Sequence, residues 1–171
     1  MIQGKNIRLR ALEPGDLEFL YEIENNTELW EVSATQIPFS KYILEQYIEN
    51  AYKDIYEAKQ LRLVIENKSG ENLGLIDIFD FDPKNRRAGL GIVICSNHRG
   101  RGYASEAVDL ICNYAIEFLN LHQLYVNIGA TNEQSIGLFQ KLGFVFCGEK
   151  KDWIFHNGRF TDEKMFQRIL E

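Results

Sequence analysis

The sequence predicts a mixed α/β domain, a sheet packed by helices in the order βααβββαβαββ. Three observations carry this expectation. The chain opens on an alternating apolar and basic segment, an apolar run at 90–95 leads through glycines into a long helical pattern, and an Asn-Gly pair divides the tail.

Ile7, Leu9 and Ala11 alternate with Arg8 and Arg10, the period of a half-buried strand. Pro14 suits a first helical turn, and Leu17, Leu20, Tyr21 and Glu24 continue on one face. Ser40 can cap a second helix carrying Leu44, Tyr47, Ile48, Ala51 and Ile55. Residues 60–67 and 73–81 read as strands around the turn Lys68-Ser69-Gly70-Glu71, and 90–95 as a third. Beyond Ser96-Asn97-His98, the stretch Arg99-Gly100-Arg101-Gly102-Tyr103-Ala104 opens a helix along Ala107, Leu110, Ile111, Tyr114, Ala115 and Phe118. A strand at 123–128 and a helix from about Asn132 to Leu142 follow. Gly143 stops that helix, 144–147 starts a strand, and 153–170 reads as a hairpin turning at Asn157-Gly158.

With 171 residues and no linker or repeat, the chain is expected to form one domain spanning 1–171, burying roughly 70% of its unfolded surface. No apolar run approaches the roughly 20 residues that cross a bilayer, and the N-terminal residues lack a secretory h-region. Cys95, Cys112 and Cys147 are an odd, scattered set, which implies reduced thiols, a cytoplasmic setting and no structural zinc. Nineteen basic against 25 acidic residues give a net charge of −6, unsuited to nucleic acid and suited to cationic or neutral small partners. His98, His122 and His156 show no metal-ligand spacing and read as loop or sheet positions; Cys95 and Cys112 read as core filler.

The stretch 99–104 carries the chemistry. Glycines admit a ligand close to the main chain, and the first amides of a helix point outward with the positive end of its dipole. A phosphate or diphosphate fits there, although an ordinary helix start has the same composition. A Walker A loop is absent. Gly89-Leu90-Gly91 leads into a strand, and no acidic residue stands on 123–128 to hold a ribose, so dinucleotide binding is disfavoured.

Arg99-x-x-Gly102-x-Ala104 after an apolar strand, with Asn132-Glu133-Gln134-Ser135 and Lys141-Leu142-Gly143-Phe144 downstream, resembles the GCN5-related N-acetyltransferases (GNAT). The likeness is greatest to the bacterial spermidine N-acetyltransferases, through Ile7-Arg8-Leu9-Arg10, Leu17, Asn25-Asn26, Arg86-Arg87-Ala88, Asn120-Leu121 and Asn157-Gly158. The ribosomal-protein N-terminal acetyltransferases share the frame. The resemblance implies a mostly antiparallel twisted sheet with helices on both faces and a splayed central strand pair. It implies acetyl transfer from acetyl-CoA to a primary amine, directly in a ternary complex and without a metal.

Under that resemblance, the amides of Arg99, Gly100, Arg101, Gly102, Tyr103 and Ala104 hold the CoA diphosphate. Ile92, Val93 and Ile94 pair with the pantetheine arm on a strand that a bulge splays from 123–128. An amide near Val93 polarises the thioester, and Asn132 bonds the pantetheine. Asp77 and Asp80 fall where the spermidine enzymes carry two glutamates, with Asp80 the choice for amine binding or relayed proton removal; a solvated strand edge is equally acidic. Glu31, in the loop after the first helix, is a further amine ligand. Ser135 matches the proposed acid of the ribosomal branch, or serves only in the first turn of its helix. Phe139 stands beside the coenzyme where the spermidine enzymes have their acid tyrosine, Gly89 replaces a glutamate, and Val32-Ser33-Ala34-Thr35 replaces an acidic, aromatic loop. The tyrosines at 42, 47, 52 and 56 could roof the amine site. Trp153, Phe155, Phe160 and Phe166 suggest a homodimer or larger homo-oligomer. The alternatives are a peptide N-terminal acetyltransferase, a non-catalytic acyl-CoA sensor, and a nucleotide-binding module.

Overall fold

Alternation at the start of the chain becomes strand β2 (Ile7–Ala11), which hides Ile7 and Leu9 completely. In the computed structural model, which describes residues 1–33 and 35–170 and leaves the side chains of Glu31, Val32 and Tyr52 undescribed, β2 belongs to an eight-stranded open sheet. The other strands are β1 (Ile2–Gln3), β3 (Leu61–Asn67), β4 (Asn72–Asp82), β5 (Arg87–Ile94), β6 (Gln123–Gly129), β7 (Val145–His156) and β8 (Arg159–Ile169). Their spatial order is β1-β2-β3-β4-β5-β6-β8-β7, and every neighbouring pair is antiparallel except β5–β6.

Both faces of the sheet are covered, which is why β3 and β4 are buried almost without a break. On one face, helices α1 (Leu17–Glu24) and α3 (Lys41–Glu49) set Leu20, Leu44 and Ile48 against Val64 and Leu75. On the other, α5 (Tyr103–Glu117) buries Ala107, Val108, Ile111, Cys112 and Ala115 against Ile76, Ile78, Leu90 and Leu124, and α6 (Glu133–Lys141) adds Phe139. Burial pushes the Cys112 thiol up to about 11, in keeping with a core residue.

The basic positions of β2 do not simply face water. Arg10 forks onto Asp16 at 2.7 and 2.8 Å and also pairs with Glu66, which Arg8 shares. Asp16 and Glu66 are both buried, so the cluster ties β2, β3 and the turn Pro14–Asp16 together.

Several boundaries differ from the expectation. The strand at 144–147 and the first arm of the hairpin are one strand, β7, bent by register shifts between Phe146 and Gly148 and between Lys150 and Ile154. The second helix ends at Glu49; Asn50–Tyr52 is a 3₁₀ turn, and α4 (Ile55–Ala58) restarts where the Asp54 carboxylate accepts the Glu57 amide at 3.0 Å. Glu31 falls in a short helix, α2 (Trp30–Ser33), not in a loop, and its side chain and Ala34 lie outside the described residues. Cys95 lies just past β5, and His98, in the 3₁₀ turn Ser96–His98, is buried. Among the described residues no helix is long and apolar enough to cross a membrane.

Candidate active site

Strands β5 and β6 start side by side and part quickly. They pair only at Arg87–Gln123, Ala88–Leu124 and Gly89–Tyr125. Beyond that point β6 stays with β8, while β5 continues against β4 as far as Ile94–Gly74. The main chain of β5 through Gly91, Ile92, Val93 and Ile94 therefore has a strand on one side only. The splay agrees with the expectation, but the bulge lies elsewhere. The register through 89–94 is continuous, and it is β4 that carries two residues, Asp80 and Phe81, opposite Ala88. Asp80 takes a left-handed φ of 49° to do so.

At the far end of this free edge the chain passes through Gly100 (φ 76°) and Gly102 (φ 82°) into the 15-residue helix α5. Only glycine takes such angles without strain, and an added Cβ at either would meet nothing within 4 Å. The Glu106 amide, bonded to Gly102 O at 3.1 Å, is the first of the helix with an acceptor. The amides of Gly100, Arg101, Gly102, Tyr103, Ala104 and Ser105 have none among the described residues, and 99–102 is exposed. Arg99 Nε donates to Ile94 O at 3.0 Å and pins the loop to the end of β5, and Arg101 makes no ion pair among the described residues. Unpaired amides, a helix dipole and an unpaired arginine form a seat that fits a diphosphate.

Across the cleft, Asn132 caps α6 through Oδ1, which accepts the Ser135 amide at 3.1 Å, leaving the Asn132 Nδ2 protons free to donate. The Ser135 hydroxyl has no partner among the described residues. Phe139 is not open to the cleft: its ring is buried edge-on against Phe144, with centroids 5.1 Å apart.

A cavity of about 400 Å³ opens between the sheet and helices α1 and α3, with Glu24, Tyr47, Arg62, Asp77, Gly91 and Val93 among its lining residues. Strand register puts Arg62 beside Asp77, where Nε and Nη2 donate to the two carboxylate oxygens at 2.6 and 3.2 Å. Arg62 Nη1 donates to Glu24 at 2.5 Å, and its guanidinium carbon lies 5.4 Å from the Tyr47 ring centre. Burial works against the Arg62 charge, but Asp77 above all, then Tyr47 and Glu24, raise its pKa above the ordinary value. Burial likewise raises that of Tyr47. A second cavity of about 140 Å³ shares Ile23, Leu29 and Val93 with the first and reaches Ser96 and Arg99, so the cleft continues toward the glycine loop.

Of the two strand carboxylates singled out in the sequence, Asp77 lines the cavity and Asp80 does not. Asp80 is exposed at the bulge and accepts the Tyr125 hydroxyl at 3.2 Å. Burial first, and then Asp80, push Tyr125 up to about 12. Sequence reasoning missed Arg62 and Tyr125 as parts of the site and placed Glu24 only on a helix face; Arg62 meets Asp77 through the register of β3 against β4, which a shift between Ile65 and Glu66 moves by one residue from the pairing at the turn, so the turn alone does not signal it. Among the described residues no group of His, Cys, Asp and Glu could hold a metal ion.

A half-free strand, a seat of open amides at its end and an acidic cavity beside it define the class of N-acetyltransferases that draw acyl groups from a CoA thioester. Residues 6–145 match the family model described as an acetyltransferase (GNAT) domain, and the chain belongs to the GNAT acetyltransferase family. It is 30% identical over 162 residues to the spermidine N(1)-acetyltransferase of Vibrio cholerae, covering 94% of this chain and 91% of that one. The crystal structure of spermidine N-acetyltransferase from Vibrio cholerae with CoA and spermine superposes with a TM-score of 0.88 at 28% identity, over 96% of this chain and 95% of that one. A dodecameric structure of the Vibrio cholerae enzyme in an intermediate state gives a TM-score of 0.81 at 29% identity, over 96% and 94%.

Proposed function

We propose that this enzyme transfers acetyl from acetyl-CoA to a terminal primary amine of a polyamine. The observation that carries the reading is a carboxylate-lined cavity opening on the free edge of β5, with the cleft continuing to Ser96 and Arg99 just before the unpaired amides of 100–105. Similarity to spermidine acetyltransferases, one of them solved with CoA and spermine, supports the polyamine. The sensor and nucleotide readings are not favoured.

Acetyl-CoA supplies an activated acyl carbon. Amides of the glycine loop hold its diphosphate, with Arg99 and Arg101 adding positive charge, and the edge at Ile92, Val93 and Ile94 aligns its arm. A β5 amide facing the thioester oxygen stabilises the developing oxyanion, an interaction that strengthens as the barrier is climbed. Glu24 and Asp77 draw the substrate ammonium into the cavity, and because Arg62 offsets one of these charges, the described residues leave a single excess negative charge there. Glu31, on α2, is proposed as a further amine ligand.

The ammonium must lose a proton before it can attack. Asp80, exposed where the strands converge, receives it by relay. The thiolate needs little help, since a thiol pKa near 8.5 lets it leave into water. The Ser135 hydroxyl, at the position of the ribosomal branch's proposed acid, is the donor to the thiolate, and Asn132 offers its Nδ2 protons to the arm.

The chain acts as one domain across 1–171. Trp153, Phe155 and Phe160, all exposed on the β7–β8 hairpin, support assembly into a homo-oligomer, as does the dodecamer of the Vibrio cholerae enzyme. Three free cysteines support a reducing, cytoplasmic setting. A thiol-release assay over polyamines, amino acids, aminoglycosides and short peptides tests the function. Spermidine and spermine are expected to lead the panel; CoA binding without turnover on any amine overturns the enzyme reading.

A further inference from the structure

Two glycines of β5, Gly89 and Gly91, pair with Phe79 and Asp77 of β4 and face the α1/α3 side of the sheet. Their surroundings differ. A Cβ on Gly91 would meet only Phe79 Cε1 at 3.8 Å and Asp77 Cβ at 3.9 Å, and the space above it belongs to the large cavity. A Cβ on Gly89 would fall 2.3 Å from Phe79 Cε2 and 2.4 Å from Cζ. The Phe79 ring therefore lies directly on the bare backbone of Gly89, with one edge turned toward Gly91.

Its other side meets the ring of Tyr125 edge-on, at 6.1 Å and 83°. Tyr125 is the residue opposite Gly89 in the last pair before β5 and β6 part. Phe79 and Tyr125 thus form an aromatic stop where the cleft closes.

The polarity of β5 decides what meets that stop. Diphosphate is held beyond the C-terminal end of the strand, so a thioester donor lying along the free edge runs back from Ile94 toward Gly91. At about 3.3 Å per residue that is roughly 10 Å of strand. The acyl end then points at Phe79, while the amine comes from the α1/α3 side, past Glu24 and Tyr47.

We propose, resting on the acetyltransferase reading above, that Phe79 sets the acyl length this enzyme accepts: its ring, seated on Gly89, occupies the space a longer acyl chain needs. The residue touches the acyl group and determines specificity without taking part in proton transfer. Phe79→Ala removes the ring and leaves the room over Gly89 open.

The test measures thiol release by wild type, Phe79→Ala and Phe79→Leu with acetyl-, propionyl-, butyryl- and hexanoyl-CoA, using spermidine as acceptor. A parallel series holds acetyl-CoA fixed and varies amine length. One methylene in an apolar pocket discriminates by about tenfold or more. The butyryl-to-acetyl ratio of kcat/KM is therefore expected to rise at least tenfold in Phe79→Ala and by less in Phe79→Leu, with the amine preference unchanged. Phe79→Leu carries the same reading through propionyl-CoA if Phe79→Ala fails to fold. An unchanged acyl profile beside normal wild-type turnover, or a gain for longer amines in place of longer acyl groups, overturns the assignment of Phe79 alone. Absence of wild-type turnover overturns it together with the acetyltransferase reading.

Discussion

Replacing Arg62 by methionine strips the cavity of the one cation among its described lining residues. Three charge-assisted hydrogen bonds disappear, two to Asp77 at 2.6 and 3.2 Å and one to Glu24 at 2.5 Å. Removing one partner of a buried pair costs about 3–5 kcal/mol, because the remaining charges keep their desolvation penalty. The side chains of Arg62, Asp77 and Glu24 keep 20%, 19% and 13% of their exposure, so some solvent screening survives and the lower end, about 3 kcal/mol, applies. For a chain of this length that is a fall in Tm of about 6–12 °C. Asp77→Asn leaves Glu24 on the guanidinium and an amide oxygen that still accepts, so it should cost only about 1–2 kcal/mol. Urea unfolding of both single variants and of the Arg62→Met/Asp77→Asn double variant gives the coupling energy, expected near 1.5 kcal/mol. A single-variant loss below about 1 kcal/mol, with coupling under about 0.5, would refute the reasoning and reduce the trio to a solvated ion pair.

Gly102→Val puts a β-branched side chain where φ is 82° but nothing stands within 4 Å, so its whole cost is conformational. That cost is about 1–2 kcal/mol, equivalent to a 5- to 30-fold weaker CoA affinity by calorimetry if the loop relaxes to escape it; wild-type affinity contradicts the diphosphate seat. Acid stability follows from three carboxyls. Burial alone would raise Asp16, Glu66 and Glu106, but the arginines beside the first two, and the Asn6 and Ile7 amides at Glu106, hold all three below their ordinary values. A depressed folded pKa means that their contribution is complete above the unfolded range near pH 4 and is lost as pH falls through the folded values. The melting temperature should therefore be flat above about pH 5 and drop below about pH 4. Glu66→Gln should lower the plateau and blunt the drop, and a melting temperature that rises on acidification would contradict the pairing.

Much of this architecture was legible in residues whose neighbours in sequence are also their neighbours in space. The period of two at 7–11, the Ser40 cap, the glycines before α5 and the Asn157-Gly158 turn are local signals, and each became the expected element. What escaped depends on pairing at a distance. Arg62 looks like any polar position of a strand until the register of β3 on β4 sets it against Asp77. Gly89 reads as a lost side chain, whereas the fold fills its place with a ring ten residues earlier in the sequence. Asp77 and Asp80 stand on one predicted strand, and only the pairing shows that Asp77 falls beside Arg62 in the cavity while Asp80 sits in the bulge between Phe79 and Asp82. Phe139 sits at the position of a family tyrosine, but apolar chemistry draws it into the core beside Phe144.

The short contact between β5 and β6 has a mechanical consequence. Among the described residues, strand pairing joins the five-stranded block β1–β5 to the three-stranded block β6–β8 at three positions only, although both blocks lean on one core beneath. A ligand stretched along the seam supplies the rungs the backbone lacks and clasps the blocks together. Saturation at a hundred times Kd adds about 2.7 kcal/mol to the folded state, and amide protons along Gly91 to Ile94 and on the facing part of β6 should slow their exchange more than any others in the sheet.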